Sequence, residues 1–246
     1  MNYSVTELSE KSHASEATIV RTCKKLGYQG YYHLKIALAK EVINPDNSYP
    51  DNTDFTDITS LATFLLKKQA EDLIQSTQFF NAEVLESILK LLANCDTIFF
   101  FAAGNSNPLA VYGAYKFSQL GLKTVVHVSP EMQINAAYSM GKRDLAIGIS
   151  NSGSTNLMVD IFKVVKERGA KSVCITNYIK SPLSKLSTHQ LNTAVSDKIF
   201  FEAFDSTRVP AMGVIDMLVL LFMYKNKAHY EKYRTREEFL GSRFKG

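Results

Sequence analysis

The residues best suited to bind an anion lie in the segment 149–155, which reads Ile-Ser-Asn-Ser-Gly-Ser-Thr. This segment follows an apolar run at 144–149 that is typical of a buried strand, and it leads directly into a helical pattern. At such a turn the free N–H groups of the first helical turn and the positive end of the helix dipole face the loop. The hydroxyl groups of Ser150, Ser152 and Thr155 add uncharged donors. The chemistry favours a phosphate group, although the same residue types also form ordinary turns and N-caps.

A second loop of similar composition, Gly-Asn-Ser-Asn-Pro at 104–108, follows the strand-like apolar run at 96–103. The carboxyl ends of neighbouring parallel strands meet at one edge of a sheet, where open α/β sheets bind their ligands. We therefore expect the two loops to converge on one small-molecule site. Its expected ligand-binding residues are Gly104, Asn105, Ser106, Ser150, Asn151, Ser152, Gly153, Ser154 and Thr155.

The elements that must position these loops can also be read from the pattern. From about residue 81 onward, strand patterns alternate with helical patterns, which is typical of a parallel doubly wound sheet. Strands are predicted near 97–103, 123–128, 144–149, 171–176 and 190–195. Helices are predicted near 57–77, 82–93, 108–120, 131–140, 155–168, 181–187 and 208–227.

The stretch from 81 to about 200 resembles the sugar isomerase (SIS) domain. Residues 150–155 fit the Ser-x-Ser-Gly-x-Thr phosphate loop of that family without exception. In the first loop Ala102 replaces the leading glycine of the family pattern Gly-x-Gly-x-Ser, whereas Gly104 and Ser106 are retained. The resemblance implies an α/β fold with a five-stranded parallel sheet that binds a phosphorylated sugar.

Residues 1–45 read as short helices, the second of which starts at Ser15. Its apolar positions Ile19, Cys23 and Leu26 recur at helical spacing, and basic and hydroxyl side chains project elsewhere. Spacing alone allows either a DNA-binding helix-turn-helix or an ordinary helical hairpin with a solvated charged face.

Residues 14–31 resemble the DNA-binding domain of the MurR/RpiR family of bacterial regulators. The shared pattern is Ser-x-x-Thr-Val-x-Arg-Phe-x-x-Lys-Leu-Gly-aromatic-x-Gly-aromatic, from which Thr22 departs at the Phe position, and His13 stands at a turn position usually given to Gly. Members carry several dozen residues before this point, so we expect an N-terminally truncated, small all-α domain. The resemblance implies DNA contacts by Ser15, Thr18, Arg21, Lys24 and Lys25.

The composition of the chain narrows the possible partners, locations and metal sites. The formal charge of +4 over 246 residues permits a nucleic-acid partner without requiring one. Three widely spaced cysteines suit reduced core thiols and a cytoplasmic location, and the five histidines show no metal-ligand spacing. The apolar run at 217–224 is too short to span a bilayer, and no signal peptide is evident. We expect no cofactor, no metal and no membrane partner.

Aldose–ketose isomerisation needs a positioned base and acid, whereas a phosphate loop alone can only bind. The candidates are Glu202, His189 and Glu131, but each has an ordinary role: Glu202 can bind a sugar hydroxyl, His189 can cap a helix, and Glu131 can favour a helix dipole. We therefore predict no catalytic residue and add Glu202 to the ligand-binding set.

The predicted protein is a transcriptional regulator. Its helix-turn-helix binds a double-stranded DNA operator, and its SIS domain senses a phosphorylated sugar and forms a homodimer or homotetramer. The alternatives are a sugar-phosphate isomerase and a ligand-binding module that has lost DNA binding. The predicted domains are a helix-turn-helix at 1–45, a linker at 46–56, a linker helix at 57–80 and a SIS domain with a helical tail at 81–246.

Overall fold

A computed structural model describes residues 5–26, 28, 30–31, 34, 57–194 and 208–244. The chain forms two compact units, residues 1–55 and 56–246. The predicted linker at 46–56 and the ligand candidate Glu202 lie outside the described residues.

The first unit contains helices α1 (Val5–Ser12) and α2 (Glu16–Lys25). Ser15 is the N-cap of α2, where its hydroxyl accepts the N–H of Thr18 at 3.2 Å. Ile19 and Cys23, one helical turn apart, are buried. His13, in the turn between the helices, has a φ of 53°, the left-handed conformation that favours glycine.

The second unit alternates strands and helices as predicted. Its strands are β1 (Ile98–Ala102), β2 (Thr124–Val126), β3 (Leu145–Ile149), β4 (Lys171–Thr176) and β5 (His189–Asn192). Its helices are α3 (Ile58–Ser76), α4 (Ala82–Asn94), α5 (Asn107–Gln119), α6 (Pro130–Ser139), α7 (Asn156–Glu167), α8 (Pro182–Leu186), α9 (Arg208–Lys225) and α10 (Lys227–Phe244). The predicted helix at 208–227 ends two residues early, since α9 stops at Lys225 and α10 leaves it at 110°.

The five strands form one parallel sheet in the order β2-β1-β3-β4-β5, which confirms the predicted fold class. Strands β1 and β3 are neighbours, and their last residues, Ala102 and Ile149, are paired. The central strands β1 and β3 are buried on both faces, and side chains that alternate along β1 enter two separate cores: Phe100 packs in one and Phe101 in the other.

Helices α4, α5 and α9 cover one face of the sheet, and α6, α7 and α8 cover the other. The helices that follow β1 and β3 therefore lie on opposite faces. The carboxyl ends of β1 and β3 are therefore the topological switch point of this strand order, where open α/β sheets bind ligands. We call this part of the sheet edge, between the ends of β1 and β3, the crevice.

Helix α3 begins at the N-cap Asp57, whose carboxylate accepts the N–H groups of Thr59 and Ser60, and it packs on α9. At the contact, Leu73 lies so close to Gly213 that a Cβ on the glycine would come within 2.5 Å of its Cδ1. Within the described residues, no single helix is long and apolar enough to cross a membrane; only α9 and α10 together, across their bend, reach that length and composition.

The cysteines are free thiols. Cys23 and Cys174 are buried, and Cys95 is half-buried. Burial raises the pKa of the Cys95 and Cys174 thiols to about 11. Both groups therefore stay protonated near neutral pH, which makes them poor nucleophiles.

Candidate functional site

The loop after β3, residues 150–155, folds back on itself through its own hydroxyl groups. The N–H of Gly153 donates to the carbonyl of Ser150 at 3.1 Å and lies 3.2 Å from its hydroxyl. The hydroxyl of Ser152 accepts both the N–H of Ser154, at 3.3 Å, and the Ser154 hydroxyl, at 3.0 Å. We call this segment the β3 loop; its hydroxyl groups are gathered at the crevice.

Gly153 brings the β3 loop against the structure behind it. Its φ is +59°, and a Cβ there would lie 2.3 Å from the Ser181 hydroxyl and 2.9 Å from that of Thr176. The carbonyl of Gly153 accepts the N–H of Leu183 at 2.9 Å. Only glycine fits this position, because both the backbone angle and the space exclude a side chain.

The β3 loop ends at the N-terminus of α7. Thr155 is the N-cap residue, but its side chain makes no capping hydrogen bond and is exposed. The first turn of α7 contains no acidic residue. The backbone donors of this turn therefore lack a side-chain acceptor from the cap, and the helix dipole favours a bound anion there.

The loop after β1, residues 103–107, approaches the same crevice from the neighbouring strand. Gly104 to Ser106 form a short 3₁₀ turn, closed by a 3.2 Å bond from the Ser106 N–H to the Ala103 carbonyl. Gly104 has a φ of +55°, and a Cβ there would meet nothing within 4 Å. We call this segment the β1 loop. The structure brings the two predicted loops to adjacent strand ends, and the ligand role of their residues stays a prediction.

Gln133 of α6 is a structural determinant of this crevice that sequence reasoning missed. Strand β2 ends at Val126, opposite Phe100, so the last residue of β1 has no strand partner on that side. The Gln133 side chain replaces it: its oxygen accepts the Ala102 N–H at 3.2 Å, and its nitrogen donates to the Ala102 carbonyl at 2.8 Å. Gln133 is 1 % exposed. Its position in the buried stripe of α6 was the available signal.

The two catalytic candidates within the described residues, His189 and Glu131, lie on different elements. His189 lies at the amino end of β5 and bonds the Ser87 hydroxyl at 2.8 Å, while burial and the charge of Lys171 lower its pKa. Glu131 is exposed in the first turn of α6. Neither the β1 loop nor the β3 loop contains an ionisable side chain. Among the described residues, no group of three or more His, Cys, Asp or Glu could hold a metal ion.

The first unit presents a separate polar surface on α2. Thr18, Arg21, Lys24 and Lys25 are exposed on the side away from the buried pair Ile19 and Cys23. The hydroxyls of Ser15 and Thr18 lie 2.9 Å apart at the start of the helix.

Thr22 stands at the Phe position of the pattern given above. Its side chain is exposed, and its hydroxyl donates to the Thr18 carbonyl at 2.9 Å. In the described structure this position therefore belongs to the surface of α2 and not to its core.

Two known protein domains match separate parts of the chain. The helix-turn-helix domain of the rpiR family matches residues 1–45, and the SIS domain matches residues 91–221. An HTH-type transcriptional regulator from Caldanaerobacter subterraneus subsp. tengcongensis is 31% identical over 235 residues, covering 94% of this chain and 82% of the relative. One from Clostridium perfringens is 29% identical over 218 residues, covering 87% and 78%.

Among solved structures, that of Vibrio vulnificus NanR complexed with ManNAc-6P superimposes with a TM-score of 0.72 at 25% identity. The match covers 96% of this chain and 85% of NanR. Because both domains match in the family's order and a relative 31% identical is covered over 82% of its length, the chain belongs to the RpiR family of helix-turn-helix transcriptional regulators that carry a SIS domain.

Proposed function

We propose that this regulator senses a phosphorylated sugar in the crevice between the β1 and β3 loops. The observation that carries the proposal is the uncapped N-terminus of α7, preceded by the hydroxyl groups of Ser152, Ser154 and Thr155. Backbone N–H groups and neutral hydroxyls bind a phosphate without the cost of burying a countercharge. We assign the contacts with the sugar to the β1 loop, which lies one strand away.

The sugar is proposed from the relatives. NanR was solved with ManNAc-6P, so N-acetylmannosamine 6-phosphate is the first ligand to test. Gly104, Asn105 and Ser106 of the β1 loop, with Asn151 and Glu202, are the proposed partners of the sugar hydroxyl and amide groups.

Binding without turnover is the proposed mode of action. Isomerisation needs a base within hydrogen-bond reach of the sugar carbons, and neither loop supplies an ionisable group. Incubation with hexose and pentose phosphates should therefore give no aldose–ketose conversion. Turnover above background that disappears in Glu202→Gln would instead establish the isomerase alternative.

We call the proposed phosphate site, formed by the hydroxyls of Ser152, Ser154 and Thr155 and the N-terminus of α7, the phosphate seat. It is tested by removing its hydroxyl groups. Ser152→Ala and Thr155→Ala should each weaken binding of N-acetylmannosamine 6-phosphate by about 1–3 kcal/mol in calorimetry, the range for depriving a charged acceptor of a partner. Ser172→Ala is the matched control, because Ser172 is a buried serine of β4 at the opposite edge of the sheet, bonded to Thr188. Unchanged affinity in the double variant Ser152→Ala/Thr155→Ala would place the ligand elsewhere.

The exposed face of α2 is the proposed DNA-binding surface, with the lysines on phosphates and Thr18 or Arg21 near the bases. Lys24→Ala should weaken binding to all duplexes and reduce the salt slope by about one unit, whereas Arg21→Ala should cost about 1–3 kcal/mol on the operator alone. Gel-shift titrations at two salt concentrations separate the two effects. Absence of all DNA binding would favour the ligand-binding module that has lost its operator.

A homodimer or homotetramer is proposed from apolar side chains left exposed on α3 and α9. Leu66 and Ile74 are each 67% exposed, and Leu220 and Tyr224 are 61% and 82% exposed. Such a concentration of exposed apolar groups marks an association surface. Light scattering at micromolar concentration should give at least twice the chain mass. A cytoplasmic location is proposed with it, since the operator lies there.

A further inference from the structure

Three hydrogen bonds, linked through Thr176 and through the peptide bond between Thr193 and Ala194, form a row across the carboxyl edge of the sheet, from the β3 loop to the end of α3. The hydroxyl of Thr176, the last residue of β4, donates to the Asn151 carbonyl in the β3 loop at 3.0 Å. The Thr176 carbonyl accepts the N–H of Thr193 at 3.1 Å. The next residue, Ala194, donates its N–H to the Ser76 hydroxyl at 2.8 Å. We call these five residues the edge relay.

Three of the five members of the edge relay are buried, and Asn151 and Ala194 are partly exposed. Ser76, Thr176 and Thr193 are 0%, 1% and 3% exposed. The Ser76 hydroxyl also donates to the carbonyl of Asp72 at 2.8 Å, so both its donor and its acceptor are engaged. The carbonyls of Asn151 and Thr176 each accept a second donor, the Asn177 N–H at 3.0 Å and the Asn192 side-chain nitrogen at 3.2 Å. The Thr176 hydroxyl and the Thr193 N–H are buried donors, and each is left unpaired when its bond in the row breaks. A displacement at one end is therefore costly unless the neighbouring members move with it.

One end of the edge relay lies in the β3 loop, and the other end lies in α3. Asn151 stands between Ser150 and Ser152 in the β3 loop, directly before the hydroxyl groups of the proposed phosphate seat. Ser76 is the last residue of α3, the described helix that follows the helix-turn-helix segment along the chain. The row thus links the proposed effector site to the helix that leads in sequence to the DNA-binding helices.

We propose that the edge relay couples occupancy of the β3 loop to the position of α3, and so carries the effector response toward the DNA-binding unit. The proposal rests on the proposed function. Within the β3 loop, the Ser152 hydroxyl accepts two donors from Ser154. A phosphate that takes over these donors changes the bonding that holds the loop backbone next to Asn151, and the buried partners must follow.

Hydrogen exchange measured by mass spectrometry tests the coupling on the whole chain. Millimolar N-acetylmannosamine 6-phosphate, and inorganic phosphate in parallel, should slow exchange in the β3 loop and change exchange in the last two turns of α3. Ser76→Ala should keep the protection of the β3 loop and lose the response of α3. Ser172→Ala, which removes an equally buried serine hydroxyl that accepts the Thr188 N–H at 3.2 Å, should keep both responses.

Two results would overturn the proposal: an α3 response that is the same in Ser76→Ala and the unsubstituted protein, or protection of the β3 loop without any α3 response. A purely structural role for Ser76 would alter the exchange of α3 equally with and without ligand. The difference between the two conditions, and not the exchange rate itself, is therefore the decisive quantity.

An exchange experiment without ligand distinguishes a wrong hypothesis about the edge relay from a wrong hypothesis about the ligand site. If neither phosphate compound protects the β3 loop, the proposed site is wrong, and Thr176→Val still tests the row. Loss of the Thr176 hydroxyl should raise exchange at Ala194 and in the last turn of α3 by about fivefold, the effect of one hydrogen bond on an opening equilibrium. Thr176→Ser, which keeps a hydroxyl, should restore the rate. Unchanged exchange in Thr176→Val would exclude the row as a coupled unit.

Discussion

The two loops that meet at the crevice differ in what stands behind them. The β3 loop is braced by the residues behind it. A Cβ on Gly153 would overlap the Ser181 side chain, and the Asn151 carbonyl accepts a hydrogen bond from the Thr176 hydroxyl. The β1 loop is open. Gly104 has nothing within 4 Å of where a side chain would begin, and the segment is fixed at its base by Gln133.

This difference suggests a division of labour. A phosphate is the same group in every phosphosugar, so its seat gains from rigid, preorganised donors. The sugar varies, and a loop with free space around it can accommodate changes of residue and shape. We therefore expect the β3 loop to set affinity for phosphate and the β1 loop to set preference among sugars.

The largest effect is expected at the braced loop. Gly153→Ala should lower the free energy of unfolding by about 3–5 kcal/mol, because it adds both left-handed backbone strain and overlap with Ser181. Affinity for inorganic phosphate should fall with it. Denaturant titration and calorimetry measure the two quantities. A stable variant with unchanged phosphate affinity would show that the β3 loop can relax. The contrast between a braced β3 loop and an open β1 loop would then be wrong.

A smaller effect is expected at the base of the open loop. Gln133→Met keeps the approximate length of the side chain but leaves the N–H and carbonyl of Ala102 buried and unpaired, so it should cost about 2–3 kcal/mol of stability. Calorimetry should show weaker binding of N-acetylmannosamine 6-phosphate with little change for inorganic phosphate.

The matched control for this change is Gln75→Met, since Gln75 is an exposed glutamine of a helix. It should leave stability and binding unaltered. Equal losses of phosphosugar and phosphate affinity in Gln133→Met would contradict a division between the loops.

Local pattern was enough to predict the sheet and both loops. The apolar runs at 98–102 and 145–149 are buried on both faces, and such strands read as continuous hydrophobic segments. Glycine and hydroxyl residues then marked the turns that follow. The bend at Asn226 was missed because α9 is apolar all round and gives no periodic signal at its end.

Contacts between distant residues could not be predicted from local pattern. The role of Gln133 depends on β2 stopping at Val126, which is a property of the sheet register. Ser76 and Ala194 are 118 residues apart in the chain, and Ser87 and His189 are 102 apart. Helical spacing marks Ser76 only as the polar end of a helix, so its place in the edge relay emerges only once the fold is known.

The smallest effect is expected at the β1 loop itself. Gly104, like Gly153, has a positive φ, but it has free space around it. Gly104→Ala should cost about 1 kcal/mol of stability, since the left-handed strain is partly offset by the lower entropy of the unfolded chain. Gly104→Asn should cost less, because asparagine enters this conformation more readily. Phosphate affinity should stay within about twofold in both variants. If Gly104→Ala instead destabilised the protein as much as Gly153→Ala, the β1 loop would be as constrained as the β3 loop, and sugar preference would have to be sought outside both.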